Sequence, residues 1–398
     1  MTICVDTISV SPHMMPLAEE LSWLFDTENF RYVATDAPDD NRQTLGWGER
    51  SRGQKWILQP GINVEDQKSA EDWRRNADVL IGSNRDLNLF EHRARMGKIT
   101  FYSSERWLKP PIGMLRLFFP RYFRIARRIS RLFASPYFYY LPMGVFAVQD
   151  MRRIMTWVGS LSQEKIDDKM RMWGYFIDAG SDCPNEFYDD VPSNDCFRIL
   201  WFGRFLNWKR VDLLLKAAAS LRYRTGPALR VKLIGSGGEE ARLRRLSERL
   251  GMMECVEFHA PIPITKIRGE IRRSDVCVVT SNGMEGWGVA VNEVLSEGRC
   301  LIAGDATGAG TTLVQDGVNG LLFENGNAID LALRLQTVRE DVGLRKTLAQ
   351  KARLDMLANW TPAMAAVRFK NAVLQLLDSG NMPDWSGGVM SRVTRLTR

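Results

Sequence analysis

The sequence predicts an α/β protein built on parallel sheets. Strand-like apolar runs alternate with helix-like stretches through residues 1–180, which is typical of strands joined by crossover helices. A second instance lies at Ser274–Ala303, where strand, loop, helix and strand follow one another. At 398 residues, the chain is long enough for two domains of ordinary size.

The elements of the first half follow from apolar runs and helical spacing. The strand candidates are Ile3–Val10, Phe30–Thr35, Trp56–Gln59, Asp78–Ser83 and Ile99–Ser103, and the helix candidates are Pro16–Phe25, Glu65–Asn76 and Arg85–Met96. His13 and Glu105 follow the first and last of these strands, where a parallel sheet presents its ligand contacts. Alternatively, His13 is a turn or capping residue, and Glu105 is solvated or paired with Arg106.

Composition limits where the protein works and what it can bind. No apolar run is long enough to cross a bilayer, and Met1–Asp6 has no basic region, so we expect neither a membrane span nor a secretory signal. Six cysteines without paired spacing favour reduced thiols in the cytoplasm. Only three histidines and no Asp-x-Asp motif occur, so we expect no metal site.

The net charge of +7 is unevenly distributed. Residues 106–133 hold arginines and a lysine interleaved with aromatic and aliphatic residues, and they contain no acid. Such a segment can lie on an anionic membrane surface, which would make the protein peripheral at the inner membrane face. The alternative is an Arg-rich helix packed on its own domain. No nucleic-acid-binding motif accompanies the segment, so we expect no nucleic acid partner.

The second half begins after a linker candidate, residues 178–195, which is rich in Gly, Pro, Asn and acids. The run Phe197–Phe202 then predicts a strand that ends at Gly203, followed by a loop and a helix Val211–Leu221. Arg204 and Lys209 lie in that loop. Two cations at the carboxyl end of a strand can clamp a diphosphate, although a solvated loop is the common alternative.

A glycine-rich turn follows the next predicted strand, Leu229–Ile234. Its sequence Gly235-Ser236-Gly237 suggests a dinucleotide fingerprint, but Glu240 occupies the position of the third glycine. A dehydrogenase is therefore disfavoured, while a tight turn near a ligand is still expected.

The segment Glu285–Glu293 predicts an anion site flanked by two carboxylates. Its loop follows a strand, so Glu285 should stand at the carboxyl edge of the sheet. The helix should begin near Gly288, with unpaired N–H groups facing the same space, and Glu293 could reach back toward them. This arrangement suits a diphosphate with a ribose on one side and a sugar on the other.

The C-terminal part is predicted to be helical and then basic. Ala328–Arg339 and Gly343–Ala358 are helix candidates, and Thr361 precedes Pro362 as an N-cap should. The helix that starts there extends to about Leu377, and residues 381–398 form a basic tail that we expect to be loose.

Taken together, these motifs resemble the large retaining GT-B-fold glycosyltransferase family 4, also called glycosyl transferases group 1. The motifs that carry the resemblance are Gly203-Arg204-x4-Lys209, Leu233–Gly237, Val256–Phe258, Glu285-x7-Glu293 and Gly317-x2-Asn319–Phe323. They cover about residues 197–325. The first half resembles the family only in its α/β pattern and weakly at Trp173–Phe176.

The resemblance implies two Rossmann-like domains that face each other across a cleft. Residues 1–180 would form the acceptor-side domain, to which a returning helix at 361–380 belongs, and residues 196–358 would bind the donor. Arg204 and Lys209 would hold the diphosphate, Glu285 the donor sugar and Glu293 the ribose. Trp287, Gly288 and Val289 would complete the donor site, and His13 and Glu105 are possible contacts in the first domain.

The implied activity is retaining, metal-independent transfer of a hexose from a UDP- or GDP-linked donor, without a further cofactor. The expected acceptor is a lipid-linked sugar or a polysaccharide. Two alternatives are a non-catalytic nucleotide-sugar-binding subunit and a GT-B-like sugar-nucleotide epimerase. The first is suggested by Ser11-Pro12-His13-Met14, which stands where many relatives have paired glycines.

Overall fold

A computed structural model describes residues 1–37, 47–48, 51–159, 161–178, 196–225 and 228–393. The chain divides into two compact units, one of residues 1–178 and 359–398 and the other of residues 179–358. The predicted linker at 178–195 lies, apart from Asp178, outside the described residues.

The first unit contains a six-stranded parallel sheet in the order β3-β2-β1-β4-β5-β6. Its strands are β1 (Ile3–Thr7), β2 (Phe30–Ala34), β3 (Ile57–Leu58), β4 (Val79–Gly82), β5 (Ile99–Ser104) and β6 (Phe138–Pro142). Most of their residues are buried, as expected for parallel strands covered on both faces. The last strand was not predicted, although Phe138–Leu141 is an apolar run.

Helices connect and cover these strands. They are α1 (Met15–Leu24), α2 (Asp66–Asn76), α3 (Leu87–Arg95), α4 (Pro120–Phe133), α5 (Val145–Val158) and α6 (Gln163–Asp168), with a 3₁₀ helix at Gly113–Phe118. The first three match their predicted positions to within two residues at each end. Their boundaries reflect local signals such as Asp86, whose side chain accepts from the Leu89 N–H and caps α3.

The second unit repeats the same architecture with the strand order β12-β11-β10-β7-β8-β9. These strands are β7 (Phe197–Phe202), β8 (Leu229–Ile234), β9 (Val256–His259), β10 (Val276–Val279), β11 (Leu301–Gly304) and β12 (Leu321–Phe323). In both sheets the first and fourth strands of the unit are neighbours, and the chain runs outward from them in opposite directions. The gap between their loops is the topological switch point at which doubly wound sheets bind ligands.

The helices of the second unit enclose its core. They are α7 (Val211–Thr225), α8 (Glu240–Arg249), α9 (Ile264–Arg272), α10 (Ala290–Ser296), α11 (Gly308–Leu313), α12 (Ala328–Glu340) and α13 (Val342–Asn359), with a 3₁₀ helix at Asn207–Lys209. Leu214 of α7, Leu233 of β8 and Leu335 of α12 are fully buried in one hydrophobic cluster. This core holds the carboxyl ends of the strands, and therefore their loops, in fixed positions.

The last helix, α14 (Pro362–Ser379), belongs to the first unit, as the resemblance implied. The Thr361 hydroxyl accepts a hydrogen bond from the Met364 N–H at 3.1 Å, which is the predicted cap. Helix α14 packs on α1, and the Lys370 ammonium donates to the Leu24 carbonyl at 2.9 Å.

The expectation of a loose tail is wrong for its described part, which extends to Val393. Val389 and Met390 are fully buried. The Met390 N–H donates to the Met172 carbonyl at 2.8 Å, and the Met172 N–H donates to the Ser391 carbonyl at 2.9 Å. Apolar burial and paired backbone groups thus fix a segment whose glycines and charges suggested mobility.

Candidate functional site

The loops after β7 and β10 meet at the switch point of the second sheet. These strands are paired in parallel, so their carboxyl ends lie side by side. The Asn282 N–H donates to the Trp208 carbonyl at 2.8 Å, and the Thr280 hydroxyl donates to the Lys209 carbonyl at 2.6 Å. Thr280 also accepts from the Trp201 indole N–H at 3.1 Å. A buried hydrogen-bond chain therefore sets the position of the Lys209 backbone.

The Lys209 ammonium forms an ion pair with the Glu285 carboxylate, and both side chains are less than one-fifth exposed. The residue after Lys209 is Arg210, whose φ of 49° is left-handed. Its guanidinium holds the Asp212 carboxylate with two hydrogen bonds, at 3.0 and 3.2 Å. Two of the residues predicted for the site, one from each loop, are thus in direct contact.

Arg204 lies one residue after Gly203 and is exposed, and none of the described side chains pairs with it. The structure therefore does not bring Arg204 into contact with Lys209 or Glu285. Its loop is pressed against the turn after β8. A Cβ on Gly235 would lie 1.9 Å from the Gly203 carbonyl oxygen, and one on Gly237 would lie 2.4 Å from the Phe205 carbonyl oxygen. The glycine pair that resembled a dinucleotide fingerprint thus permits two loops to pack together.

Trp287 is fully buried, and its indole N–H donates to the Asn292 side-chain oxygen at 2.7 Å. The Trp287 side chain therefore anchors the loop from inside, and the expected contact of this residue with the donor stays a prediction. The Trp287 carbonyl accepts from the Ala309 N–H at 2.8 Å, and a Cβ on Gly308 would lie 2.2 Å from the Gly286 carbonyl oxygen. The start of α11 therefore holds this loop in place.

The helix after the loop begins close to its predicted position. Gly288 has φ of 90°, which favours glycine, and Val289 is the N-cap of α10. Helix α10 is only seven residues long, so its dipole contributes only a modest positive potential. The charge of Lys209 is the larger source of positive potential at this site.

Glu293 lies in the first turn of α10 and is buried. Burial raises the pKa of this carboxyl to about 8, while the positive charges of Arg268 and Lys209 oppose the rise. The negative charge of Glu297 adds to it. Lys209 forms an ion pair with Glu285, and its charge also acts on Glu293, so the three residues share one site. In this site Glu293 carries a proton over much of the neutral range.

In the first unit, Tyr175 connects the two predicted residues. The Tyr175 hydroxyl donates to a Glu105 carboxylate oxygen at 3.5 Å, and its ring lies edge-on to the His13 ring, with 6.3 Å between the centroids. The Trp47 ring is also edge-on to the His13 ring, with 5.9 Å between the centroids. Burial lowers the pKa of His13 to about 4, so the imidazole is neutral at physiological pH. The only sign of Tyr175 in the sequence was the weak family likeness at Trp173–Phe176.

Glu105 and Arg106 each form an ion pair with a charged residue outside their own dipeptide. The Glu105 carboxylate lies 3.5 Å from the Lys109 ammonium, whereas the Arg106 guanidinium lies 3.6 Å from the buried Asp150 carboxylate. Asp150 comes from helix α5, far from Arg106 in sequence.

The basic segment is a packed helix on one face and exposed on the other. Ala126, Ile129 and Leu132 of α4 are buried, and Arg128 is held by the Glu91 carboxylate at 2.7 Å. The exposed face carries apolar residues and arginines together: Ile112, Leu115, Phe118, Phe119, Phe123, Arg121, Arg124, Arg127 and Arg131. We call this set the aromatic–basic surface. Across the described residues, every helix is too short or too polar to span a lipid bilayer.

Sequence comparison links the second unit to a known family. The family model of glycosyl transferases group 1 matches residues 189–355. A D-inositol 3-phosphate glycosyltransferase of Thermomonospora curvata is 34% identical over 167 residues, which are 40% of this chain and 38% of the relative. One from Arthrobacter sp. is 31% identical over 193 residues, or 47% and 45% of the two chains. The matches therefore span less than half of these curated relatives.

Structural comparison covers nearly the whole chain. A glycosyltransferase from Rickettsia africae has a TM-score of 0.69 at 14% identity, covering 96% of this chain and 99% of the other. HepE from Anabaena, solved in complex with UDP, has a TM-score of 0.67 at 18% identity, covering 95% and 100%. WaaG, a glycosyltransferase involved in lipopolysaccharide biosynthesis, has a TM-score of 0.62 at 16% identity, covering 92% and 98%. Residues 189–355 of this chain thus match the glycosyl transferases group 1 family, and the chain as a whole has the GT-B fold of these solved structures.

Proposed function

We propose that this protein is a retaining glycosyltransferase that transfers a hexose from a nucleoside diphosphate to an acceptor. The observation that carries the proposal is the contact between Lys209 and Glu285 at the switch point, with Glu293 buried beside it. A cation next to two carboxyl groups suits a ligand in which a diphosphate lies between hydroxyl-rich groups. HepE, which has the same fold, has been solved with UDP and with UDP-glucose, which supports a uridine donor over a GDP-linked one.

Lys209 would act on the diphosphate. Breaking the anomeric bond adds negative charge to the departing nucleoside diphosphate, and a fixed cation stabilises that charge more in the transition state than in the ground state. Lys209 is suited to this because its backbone is held by Thr280 and its side chain is largely shielded from water. Arg204, which is exposed, would close onto the outer phosphate. We propose that these two cations replace a metal ion and that no further cofactor takes part.

The two acids would bind the sugars. Glu293 keeps its proton near neutral pH because of its burial, so its carboxyl group can both donate to and accept from ribose hydroxyls. Glu285 would lie nearer the reacting centre, because it contacts the cation assigned to the diphosphate. Gly288 and Val289 would offer backbone N–H groups to the phosphate.

The acceptor would be met by the first unit, where His13, Tyr175 and Glu105 are connected. The aromatic–basic surface supports an acceptor at a membrane. Phe118 is 66% exposed and Phe119 is 56% exposed, and arginines flank them. Aromatic side chains that enter the lipid interface beside arginines facing anionic headgroups are a recognised mode of peripheral attachment. We therefore propose a lipid-linked or polysaccharide acceptor at the cytoplasmic membrane face.

The test is a donor panel. UDP-, GDP- and ADP-sugars are each incubated with the full chain and with lipid extract, release of nucleoside diphosphate is followed, and binding is measured by calorimetry. We expect turnover with one donor class and its loss in Lys209→Met. Binding without turnover would indicate the non-catalytic subunit, and a new sugar nucleotide formed without acceptor would indicate the epimerase. Folded protein that neither binds nor turns over any donor would overturn the proposal.

A further inference from the structure

A cation-lined cavity lies in the first unit, outside the residues that match the family. Its volume is about 150 Å³, well beyond the space that one water needs. Its wall includes four positively charged side chains and no acid: Arg85, Arg106, Lys109 and Arg116. Arg85 follows β4 and Arg106 follows β5, so the cavity opens at the carboxyl edge of the first sheet.

The positive charge of this cavity is only half balanced. The Asp150 carboxylate lies 3.6 Å from Arg106, and the Glu105 carboxylate lies 3.5 Å from Lys109. Arg85 and Arg116 have no carboxylate partner among the described residues. Two unbalanced positive charges beside a cavity favour an anion that carries about two negative charges.

Aromatic rings orient the two unbalanced arginines. The Arg85 guanidinium lies 4.0 Å from the centre of the Trp107 ring, and the indole N–H of Trp107 is held by the Ser104 hydroxyl at 2.9 Å. The Arg116 guanidinium lies 6.0 Å from the Tyr122 ring. Stacking of this kind leaves the N–H groups in the guanidinium plane free to donate.

A buried hydrogen-bond donor of Arg116 indicates which kind of group the cavity can bind. The Arg116 Nε atom is buried and has no hydrogen-bond partner in the described structure. A buried donor without an acceptor is costly, and the cost is removed when a ligand oxygen accepts from it. Phosphate oxygens are well suited, because guanidinium groups bind them through paired, charge-assisted hydrogen bonds.

We propose that this cavity binds a phosphate group of the acceptor. The Lys109–Glu105–Tyr175 contacts join the cavity to His13, so a phosphate bound there would orient an acceptor toward the edge at which we expect the reaction. The binding of phosphate stands by itself, whereas its role as an acceptor anchor rests on the proposed function. The phosphate can belong to a water-soluble sugar or polyol phosphate or to a lipid, because Leu117 and Tyr122 line the cavity next to the exposed Phe118.

The test compares Arg85→Gln/Arg116→Gln with Arg75→Gln/Arg95→Gln, which removes two exposed arginines of the same unit away from the cavity. Binding of glycerol 3-phosphate is measured by calorimetry on the full chain with saturating UDP, and binding to phosphatidylglycerol and phosphatidylcholine vesicles by sedimentation. We expect the cavity variant to lose roughly tenfold or more in affinity and the control to match the wild type. Loss for glycerol 3-phosphate identifies a soluble phosphate, and loss confined to the anionic vesicles identifies a lipid.

UDP binding by the same variants separates this inference from the proposed function. We expect it to be unchanged, because the cavity and the donor loops lie in different units. Phosphate binding without any UDP binding would remove the proposed function and leave the phosphate site. A folded cavity variant that binds both phosphate sources as the wild type does, or a wild type that binds neither, would overturn the inference.

Discussion

The Lys209 ammonium and the Glu285 carboxylate form an ion pair across two loops that leave neighbouring strands of one sheet. Neither residue belongs to a long helix, and each is fixed through backbone hydrogen bonds of its own loop. Because the pair is largely shielded from solvent, a change in either partner alters a charge that water compensates only in part. The pair is therefore the most direct place to probe the proposed donor site.

Substitutions of the two partners should have different effects on UDP binding. Lys209→Met removes the cation assigned to the diphosphate, so UDP affinity should fall roughly 10-fold or more. Glu285→Gln frees Lys209 for the diphosphate, so UDP affinity should hold or rise while sugar transfer falls. Calorimetry with UDP and a turnover assay measure both effects. Lys216→Met, on α7, is the matched control, and equal affinities in Lys209→Met and the control would contradict the assignment.

Glu293 should make stability depend on pH. Its pKa is raised from 4.5 to about 8, so between these values the unfolded state has lost the proton that the folded state keeps. Stability should therefore fall as pH rises through this window, by up to about 5 kcal/mol. The glutamine of Glu293→Gln does not titrate. The unfolding temperature of this variant should therefore rise relative to that of the wild type between pH 5 and pH 8.

The exposed acid Glu248 provides the comparison for that titration. Glu248→Gln changes the same functional group on the surface of α8, and its unfolding temperature should follow the wild type across the same range. Parallel curves for Glu293→Gln and the wild type would show that Glu293 does not carry a raised pKa.

The loops after β7 and β8 approach closely at Gly235 but not at Gly238, so alanine substitutions at these two glycines should differ in their effect on stability. Gly235→Ala places a methyl group 1.9 Å from the Gly203 carbonyl oxygen, while a methyl group at Gly238 meets nothing within 4 Å. We expect Gly235→Ala to lose about 1–3 kcal/mol in urea unfolding, with weaker UDP binding because the loop of Arg204 is displaced. Gly238→Ala should behave as the wild type. The same midpoint in both variants would show that the loops are not packed as described.

Charge reversal on the aromatic–basic surface should weaken attachment to anionic vesicles. Each exposed arginine near such a surface contributes about 1 kcal/mol, so the loss of two charges alone lowers vesicle affinity by roughly 30-fold, and Arg121→Glu/Arg124→Glu should lower it by at least that much, less at high salt. Arg244→Glu/Arg245→Glu on α8 makes the same charge change in the second unit. If both variants bind vesicles alike, the segment serves packing within its own unit.

The sheets and the paired loops could be predicted because they depend on short-range patterns. Buried parallel strands appear as apolar runs, and consecutive βα units place their loops at one edge of a sheet. This is why Lys209 and Glu285 could be assigned to one site before the contact was seen. The location of Glu293 in this site could be predicted because Glu293 lies near the start of a helix that begins close to Gly288.

Other features depended on contacts that local sequence does not encode. Whether Trp287 faces a ligand or the core is decided by Asn292 and by the start of α11. Arg106 forms an ion pair with Asp150, which only the fold brings near. The cavity beside Arg85 could not be predicted from local sequence either, because its cations come from separate loops and a 3₁₀ helix. Tyr175 was missed as a contact because a lone tyrosine in an irregular stretch has no periodicity.

Because α14 packs on α1, the first unit is formed by residues that lie before and after the second unit in the sequence. On the ribosome, every residue of the second unit is made before the last residues of the first, and domains generally fold as units. The half that is translated first therefore finishes assembling last. A stop codon after residue 359 would therefore leave the second unit whole and the first unit without α14.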